Sequence, residues 1–359
     1  MIAKRNNKVL SAVVTLISLA AVGEAYAQNS VTLYGRLVGG VGYLNKIAQP
    51  GGDTADTFRY APNWGTSWWG LRAQEDLGGG LSAVMNLESG FSTDAGSTGT
   101  SLFNRYAYVG VASKTFGALW LGRAMGLPDS EISALDPMGY QNTSLATLAN
   151  GRIWGSRANT VTYNSPSWGG FSFRGQFGLN GTAGQFNSGK QIGGSVSYQN
   201  GPLVVKGVYE EIRDADGGFN SLYTASRLYA TGVVYQVGDV KMYGGYALTR
   251  SGGNTVATAD NPTAANKQEL YWLGANYQAT PALQLIGGVY RANRNNSGGN
   301  GTLLAVGANY YFSKRTMFYA TVGHVMNGGN AAFTSEAGDN RPLQGSAQQG
   351  VYTGMVHWF

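Results

Sequence analysis

The sequence predicts an all-β fold, a transmembrane antiparallel β-barrel of about 16 strands that follows an export signal. Stretches of about ten residues alternate apolar with polar or small side chains along the whole chain, as strands with one lipid-facing side do. Short turns and long loops separate these stretches in strict alternation. The chain also has 55 glycines and only 12% charged residues, which disfavours both helix interiors and an ordinary soluble domain.

Residues 1–27 have the three parts of a signal peptide. Lys4, Arg5 and Lys8 form the charged start, and an apolar run covers residues 9–23. An Ala-Tyr-Ala site follows, which predicts cleavage between Ala27 and Gln28. The apolar run is shorter than the about 20 residues of a spanning helix, and no later run matches it. We therefore expect residues 28–359 to cross the membrane as strands, because helices and closed barrels alone satisfy backbone polar groups in lipid.

The first strand places Val31, Leu33 and Leu37 on one face and Tyr34 and Arg36 on the other. The same alternation recurs in each later segment. We expect strands near residues 31–43, 67–76, 80–91, 103–113, 117–124, 157–166, 170–178, 191–200, 203–213, 227–237, 240–249, 269–278, 282–292, 302–312, 315–326 and 350–359. Long polar loops are expected near residues 45–66, 92–102, 125–156, 179–190, 214–225, 250–267, 293–300 and 328–348. A barrel of this width leaves an aqueous channel.

The composition argues against several other functions. The chain has no cysteine, which excludes disulfides and thiol chemistry, and its net charge of +6 is spread without a basic cluster, which disfavours nucleic-acid binding. His324 and His357 are the only histidines, and neither belongs to a recognisable catalytic set. We expect neither enzymatic activity nor a cofactor or metal.

Aromatic residues near strand ends are typical of the girdles that mark the two membrane interfaces of such barrels. The tyrosines assigned to this role are Tyr106, Tyr108, Tyr235, Tyr277, Tyr310 and Tyr311.

The sequence resembles the general porins of Gram-negative bacteria, especially the β-proteobacterial branch. The matching segments are SVTLYG at 30–35, GLRAQEDLGGGL at 70–81, NLESGF at 86–91, NRYAYVG at 104–110, FG at 116–117 with LGR at 121–123, and GMVHWF at 354–359. They occur in order over essentially the whole mature chain. The resemblance implies a homotrimer of 16-stranded barrels in the outer membrane, each a passive channel for small hydrophilic solutes and ions.

The same resemblance implies further features of assembly and partners. The third external loop, residues 125–156, should fold into the lumen and narrow it; it is the longest connection, and long loops are commonly functional. Phe359 should act as a signal for the barrel assembly machinery. Outer-membrane lipid and lipopolysaccharide should surround the barrel, and small anions should pass through it.

Charges at the narrowest point set the ion preference of a pore. Arg36 and Arg72 lie on the inward parity of the first two strands. The resemblance implies that arginines at such positions form one wall of the constriction, and the expected basic wall consists of Arg36, Arg72, Arg105 at the start of the fourth strand, Arg123 at the end of the fifth and Arg157 at the start of the sixth. Arg123 shares parity with Leu119 and Leu121, so only a bulge near Gly122 would turn it inward. The expected acidic wall on the loop consists of Asp129, Glu131 and Asp136.

Two departures from the family pattern bear on the strength of this selectivity. Met138 stands where enterobacterial relatives carry a glutamate, which weakens the acidic wall. Trp68 stands where the family often has an arginine, which weakens the basic wall. Mild anion selectivity is therefore the expectation.

Two other functions stay open at this stage. A substrate-selective porin for sugars or small acids would need aromatic residues descending its inner wall, and Tyr34, Trp68 and Trp120 are too few to establish one. A passive structural or adhesive barrel would not conduct ions, which single-channel recording would reveal.

Overall fold

The computed structural model describes residues 30–338 and 340–359, and the predicted cleavage site between Ala27 and Gln28 lies outside them. The chain forms one antiparallel sheet of 17 strands. The strands are β1 Ser30–Ala48, β2 Thr54–Tyr60, β3 Ser67–Gly78, β4 Leu81–Phe91, β5 Tyr106–Ser113, β6 Gly117–Met125, β7 Ser156–Asn164, β8 Phe171–Gly178, β9 Gln191–Asn200, β10 Leu203–Ile212, β11 Arg227–Val237, β12 Val240–Arg250, β13 Lys267–Gln278, β14 Leu283–Arg294, β15 Asn300–Ser313, β16 Thr316–Gly328 and β17 Gln348–Trp358.

The sheet closes into a barrel with 16 strand positions. β1 pairs with β17 on one side, and on its other side it pairs with β2 along one half and β3 along the other. β2 and β3 are therefore two halves of one barrel strand, which explains how 17 segments fill 16 positions. Gly35 and Phe359 complete the closure, because each N–H donates to the other's carbonyl oxygen at 3.1 Å.

The first long connection differs from the expected loop at 45–66. β1 continues to Ala48, a tight turn follows, and β2 returns as far as Tyr60. Residues 61–66 then leave the sheet and turn towards the lumen, where Ala61 packs with the inward-facing Tyr319 and Tyr352. The sequence of β2 does not show the apolar–polar alternation of the other strands. Both faces of this extension are in contact with solvent, so most of its side chains are polar.

The two faces of the barrel follow the predicted parity. Outward side chains include Leu33, Val109, Leu273 and Phe312, all well exposed as expected for lipid-facing positions. The girdle assignment is correct for Tyr235, Tyr277 and Tyr310, which point outward near the short turns. Cross-strand pairing turns the other three tyrosines inward: Tyr106, Tyr108 and Tyr311. Aromatic composition alone does not distinguish the two faces.

The segment between β6 and β7, residues 126–155, lies inside the barrel and is called loop 3 here. It contains two short helices, α1 (Leu127–Ile132) and α2 (Leu145–Ala149), with a single 3-10 turn after α1. Pro128 favours the start of α1, and Ser144 with Thr147 forms a capping box at α2. No helix in the described ranges is long and apolar enough to span a membrane.

Loop 3 packs tightly on the inner wall formed by β9–β16. Leu127, Leu135, Leu145 and Leu148 are fully buried there, and burial of one such side chain stabilises by about 1.5–3 kcal/mol. Glycines on the strands admit the loop. A Cβ at Gly232 would lie 2.9 Å from Leu135, and one at Gly274 would lie 2.5 Å from Pro137. The loop is thus held against one side, and the passage runs along the wall of β1–β7.

Candidate pore constriction

Arg36 and Arg105 lie together at one cavity of the passage, which is the candidate constriction. Both line this cavity of about 230 Å³ with Asp129, Tyr140 and Trp154. Arg36 donates to the Thr66 carbonyl at 2.7 Å, and Arg105 pairs with Glu88 at 2.5 Å. Among the described residues, Arg36 has no carboxylate within ion-pair distance, and its Nε is buried without a partner. Two of the predicted arginines therefore line the same cavity.

Arg72 lies on the same inner wall, in the row of residues that includes Thr32 and Asn86. Its guanidinium lies 5.1 Å from the centre of the Tyr34 ring. It is exposed to the lumen, and no ion pair holds it within residues 30–338 and 340–359.

Arg157 also points inward, but it joins a different group. Its guanidinium makes two contacts with Glu210, at 3.0 and 3.1 Å. Arg152 of loop 3 contacts the same carboxylate at 2.5 Å and also donates to Ser226. Glu210 is fully buried, and a buried carboxylate between two arginines anchors the end of loop 3 because losing either partner would leave an uncompensated charge.

The structure does not bring Arg123 to this cluster. It pairs opposite Ala107 and shares the face of the lipid-facing Leu121. An irregularity does occur here, but the extra residue is on β7, where Asn159 has a positive φ of 54°. That bulge re-aims Arg157 and leaves the parity of β6 unchanged. Arg123 instead donates to Ser156 at 2.8 Å.

Asp129 is the loop carboxylate that lies at the constriction. It accepts the Gly155 N–H at 2.9 Å and lines the same cavity as Arg36 and Arg105. Burial raises the pKa of the Asp129 carboxyl to about 6, although the Gly155 N–H and the nearby Arg105 and Arg157 oppose this rise.

Glu131 faces the wall of β8 and β10 and not that of β1–β4. It contacts Arg174 at 2.9 Å and Lys206 at 2.6 Å. Burial alone would raise the pKa of Glu131, but these two cations hold it below its usual value.

Asp136 differs from the expectation, because it does not face the lumen. It is buried between loop 3 and β14, accepts the Tyr290 hydroxyl at 2.6 Å, and accepts the N–H groups of Met138 and Tyr140 at 3.1 Å each. An aspartate at the start of a tight turn commonly satisfies backbone donors in this way. Its burial raises the pKa of its carboxyl.

The passage continues from the constriction to the side of the long loops. An outer cavity of about 590 Å³ shares Gly65, Thr66, Asn104, Arg105 and Asn142 with the inner one. Residues 61–66 therefore line the passage together with loop 3. They also hold its tip, since Asn63 accepts from Thr143 and donates to Gln141.

Sequence analysis missed Arg152, Arg174, Lys206 and Glu210. Arg174 had a usable signal, because it alternates with the lipid-facing Phe171 and Phe173. Glu210 had none, since the inward positions near it include the apolar Val208 and Leu228, which loop 3 covers. Where a loop packs on the inner wall, both faces of a strand are apolar and the alternation disappears.

A closed barrel with an inserted loop and a charged, water-accessible passage defines a channel protein of the membrane. A match to the Gram-negative porin family covers residues 11–330. The chain belongs to the Gram-negative porin family, and it is an outer-membrane porin that forms a passive, water-filled channel.

Individual relatives agree with this assignment. An outer membrane porin protein of Bordetella pertussis is 28% identical over 352 residues, which cover 85% of this chain and 91% of that protein. Outer membrane porin protein 32 of Delftia acidovorans is 35% identical over 247 residues, covering 64% of this chain and 67% of that protein.

Two solved structures show the same fold. The anion-selective porin from Comamonas acidovorans superposes with a TM-score of 0.79 at 24% identity, covering 92% of this chain and all of that one (100%). The trimer form of OmpT from Vibrio cholerae gives a TM-score of 0.66 at 18% identity, covering 92% and 99% of the two chains.

Proposed function

We propose that this porin is a homotrimeric, mildly anion-selective diffusion channel, exported and cleaved after Ala27. One observation carries the proposed selectivity. The wall and loop glutamates Glu88, Glu131 and Glu210 are each engaged by cations, whereas Arg36 and Arg72 have no ion pair among the described residues. The passage therefore presents a net positive charge to a permeating ion.

The preference should be modest because the constriction is wet. At about 8 Å in water, one unit charge changes the energy of an ion by roughly 0.5 kcal/mol, a factor of about two. Salt screens such charges beyond about 8–10 Å near physiological ionic strength. Asp129 also adds a negative charge when ionised, which reduces the preference further.

The trimer is supported by the outer face. Near the short turns, outward positions of β8, β11, β13, β15 and β16 carry the aromatic side chains Phe171, Tyr235, Tyr277, Tyr310 and Phe318. The corresponding positions of β1 and β3–β5 carry the aliphatic Val31, Leu77, Leu81 and Val111. Aromatic rings favour the lipid interface, so these aliphatic positions fit contact with another subunit. The Vibrio relative described as a trimer form shares the fold.

Lipopolysaccharide contact is supported by a row of cations near the long loops. Arg227, Arg250 and Lys267 lie directly opposite one another on β11, β12 and β13, and all three point outward. Glu211 contacts Arg227 at 3.7 Å and Glu269 contacts Lys267 at 3.5 Å, so part of the charge of this row is neutralised within the protein. Arg250 has no carboxylate within ion-pair distance in residues 30–338 and 340–359, and like charges in this arrangement are destabilising unless anions lie beside them. The phosphate groups of lipopolysaccharide would supply such anions in the outer leaflet.

Reversal potential across a potassium chloride gradient tests the selectivity. We expect an anion-selective wild type and a fall of about two- to fivefold in the anion-to-cation permeability ratio for Arg72→Ala. Arg105→Ala should have the larger effect, because it removes a positive charge and also frees Glu88, its ion-pair partner.

The matched control is Arg291→Ala. This arginine is on β14 opposite the outward-facing Tyr271, so its removal should leave the ratio unchanged. A cation-selective wild type would overturn the proposal. Equal effects of all three substitutions would show that the ratio is not set at the constriction.

A further inference from the structure

Five aromatic side chains line one inner wall of the passage, and we call them the aromatic wall. They are Tyr34, Trp68, Tyr106, Tyr108 and Trp120. Pairing places them all on the inward face: Trp68 lies opposite Arg36, Tyr106 opposite Glu88, and Trp120 opposite Thr162. All five are partly exposed, and they lie on strands β1, β3, β5 and β6, which loop 3 leaves uncovered.

The aromatic wall extends along the passage. Inward residues that lie opposite one another on neighbouring strands form a row across the sheet. Trp68 lies in the first such row, Tyr34 and Tyr106 lie in the second, Tyr108 lies in the third and Trp120 lies in the fourth. Successive inward rows are two residues apart, which is about 7 Å along a strand, so the wall covers roughly 20 Å. This length spans a large part of the roughly 25 Å apolar band of such barrels.

Neighbouring rings contact one another. Tyr34 and Trp68 meet edge to face at 5.4 Å, and Tyr106 and Tyr108 do so at 5.9 Å. Tyr108 and Trp120 are stacked at 4.5 Å with an angle of 11° between their planes. The two groups of rings are joined by Asn86 and Glu88, which both accept the Tyr34 hydroxyl.

Glycines allow two of the rings to lie close to the wall. A Cβ at Gly70 would come within 3.0 Å of the Tyr34 ring, and a Cβ at Gly110 would come within 2.9 Å of the Trp120 ring. At both positions the added Cβ would also meet a backbone oxygen at a shorter distance, that of Leu87 at 2.7 Å and that of Leu119 at 2.3 Å, so the ring is one of two reasons that these positions need glycine. The rings are thus held by the backbone beneath them.

Each half of the aromatic wall also carries cations. Arg105 lies 5.7 Å from the Trp68 ring, Arg72 lies 5.1 Å from Tyr34, and Arg174 lies 5.9 Å from Trp120. Guanidinium groups are planar and stack on aromatic faces while offering donors to carboxylates. Glu88 neutralises Arg105 and Glu131 neutralises part of Arg174, so Arg72 carries the free positive charge.

We infer that the aromatic wall is a binding track for small aromatic carboxylates, which this channel admits in preference to aliphatic acids of the same charge. The planar ring of the solute stacks on the tyrosine, tryptophan and guanidinium planes, and its carboxylate accepts from an arginine. This inference rests on the proposed anion-selective channel and names a solute class for it.

The arrangement fits this class better than two others. An aliphatic acid would meet the same arginines but would gain less from flat aromatic surfaces. A neutral sugar could stack on the rings but would leave the guanidinium donors without a charged acceptor, and charge-assisted bonds are about twice as strong as neutral ones.

The test uses purified full-length porin in planar bilayers with potassium chloride on both sides. Benzoate is compared with cyclohexanecarboxylate, which has the same charge and similar size but is not planar. We expect benzoate to reduce single-channel chloride current at about two- to fivefold lower concentration, the range that one exposed cation–π or stacking contact supplies.

Leucine substitutions at the two ends of the aromatic wall test the role of the rings, and the residue next to Trp68 on β3 provides the control. Trp68→Leu and Trp120→Leu on β6 should each reduce the preference for benzoate, and the double variant should abolish it. Trp69→Leu is the control, because Trp69 is the next residue but faces outward against Phe103. Trp68→Phe and Trp120→Phe retain a ring and should retain the preference, which keeps the test decisive if a leucine variant fails to assemble.

Equal reduction of current by benzoate and cyclohexanecarboxylate in the wild type would overturn the inference. A preference that survives both leucine substitutions, or an equal effect of glucose, would also overturn it. Chloride reversal potential in the same bilayers separates the two proposals. Anion selectivity without a benzoate preference removes the binding track alone, whereas cation selectivity removes the proposed function.

Discussion

Asp129 is a single carboxylate whose charge state bears on the whole constriction. It shares a cavity with Arg36 and Arg105, and burial raises its pKa to about 6, partly opposed by the Gly155 N–H and by Arg105 and Arg157. A carboxyl with a raised pKa is ionised above that value and neutral below it. The constriction therefore loses one negative charge as the pH falls from 7 to 5.

We predict that the anion-to-cation permeability ratio rises by about two- to fivefold between pH 7 and pH 5, since one charge at about 8 Å in water changes the energy of an anion by roughly 0.5 kcal/mol and that of a cation by as much in the opposite sense. Reversal potentials at the two pH values measure this change. Asp129→Asn should show little dependence on pH, with a ratio at both pH values close to that of the wild type at pH 5.

Neither histidine is placed to cause the predicted pH dependence. His324 lies opposite Leu304 and His357 opposite Leu37, and both partners face lipid, so neither imidazole faces the constriction. A ratio that falls on acidification, or an Asp129→Asn variant that keeps the full pH dependence, would show that another group controls the effect.

Residues 61–66 are the element that fixes loop 3 from the side of β1. Asn63 is fully buried there. Its side chain accepts from the N–H and hydroxyl of Thr143 at 3.1 and 3.0 Å and donates to Gln141 at 3.2 Å. Its carbonyl also accepts the Asn142 N–H at 2.7 Å. Residues 61–66, which interrupt the second barrel strand between β2 and β3, therefore hold the tip of loop 3. We call this segment the bracket.

Asn63→Ala should loosen that tip, because buried groups left without partners cost about 1–3 kcal/mol each. We expect noisier open-channel current and closure at lower voltage in bilayer recordings, with the barrel still assembled. Asn254→Ala, an exposed position in an external loop, should behave like the wild type. If both variants gave wild-type noise and closure, the bracket would have no role in holding the loop.

These elements show which features of the fold and of the candidate site could be predicted from the sequence. Strand positions and the inward parity of Arg36 and Arg72 follow from alternation, because lipid accepts only apolar side chains. The position of Arg105 does not, since it precedes β5, whose first residue Tyr106 already faces inward. The bracket at 61–66, the burial of Asp136 and the bulge at Asn159 do not follow. Each depends on contacts between distant segments, such as Asn63 with Thr143 or Asp136 with Tyr290.

For the whole molecule, Phe359 takes part in the pairing that closes the barrel. The Phe359 ring lies over Gly35, where an added Cβ would be 2.4 Å away, and two backbone hydrogen bonds join the pair. We predict that deleting Phe359 strongly reduces the amount of trimer in the outer membrane, seen as a slow-migrating band on unheated gels. Phe359→Tyr should assemble normally because it keeps the ring and both bonds.

Two outcomes of that experiment would count against the proposals. A wild type that migrates as a monomer, with the mass of one chain by light scattering, would contradict the trimer. Wild-type amounts of trimer after the deletion would show that the closing pair is dispensable for assembly.

The pairing of β1 with β17 also constrains the order in which the barrel strands can pair. β1, which is synthesised first, has a partner for one edge as soon as β3 exists, yet its other edge waits for β17. Pairing across such a long separation is slow, and unpaired strand edges invite aggregation. A ribosome that stops early would not release a narrower pore. A chain shortened before β17 would lack the partner of one edge of β1, so any sheet that it formed would keep unpaired edges and be prone to aggregation.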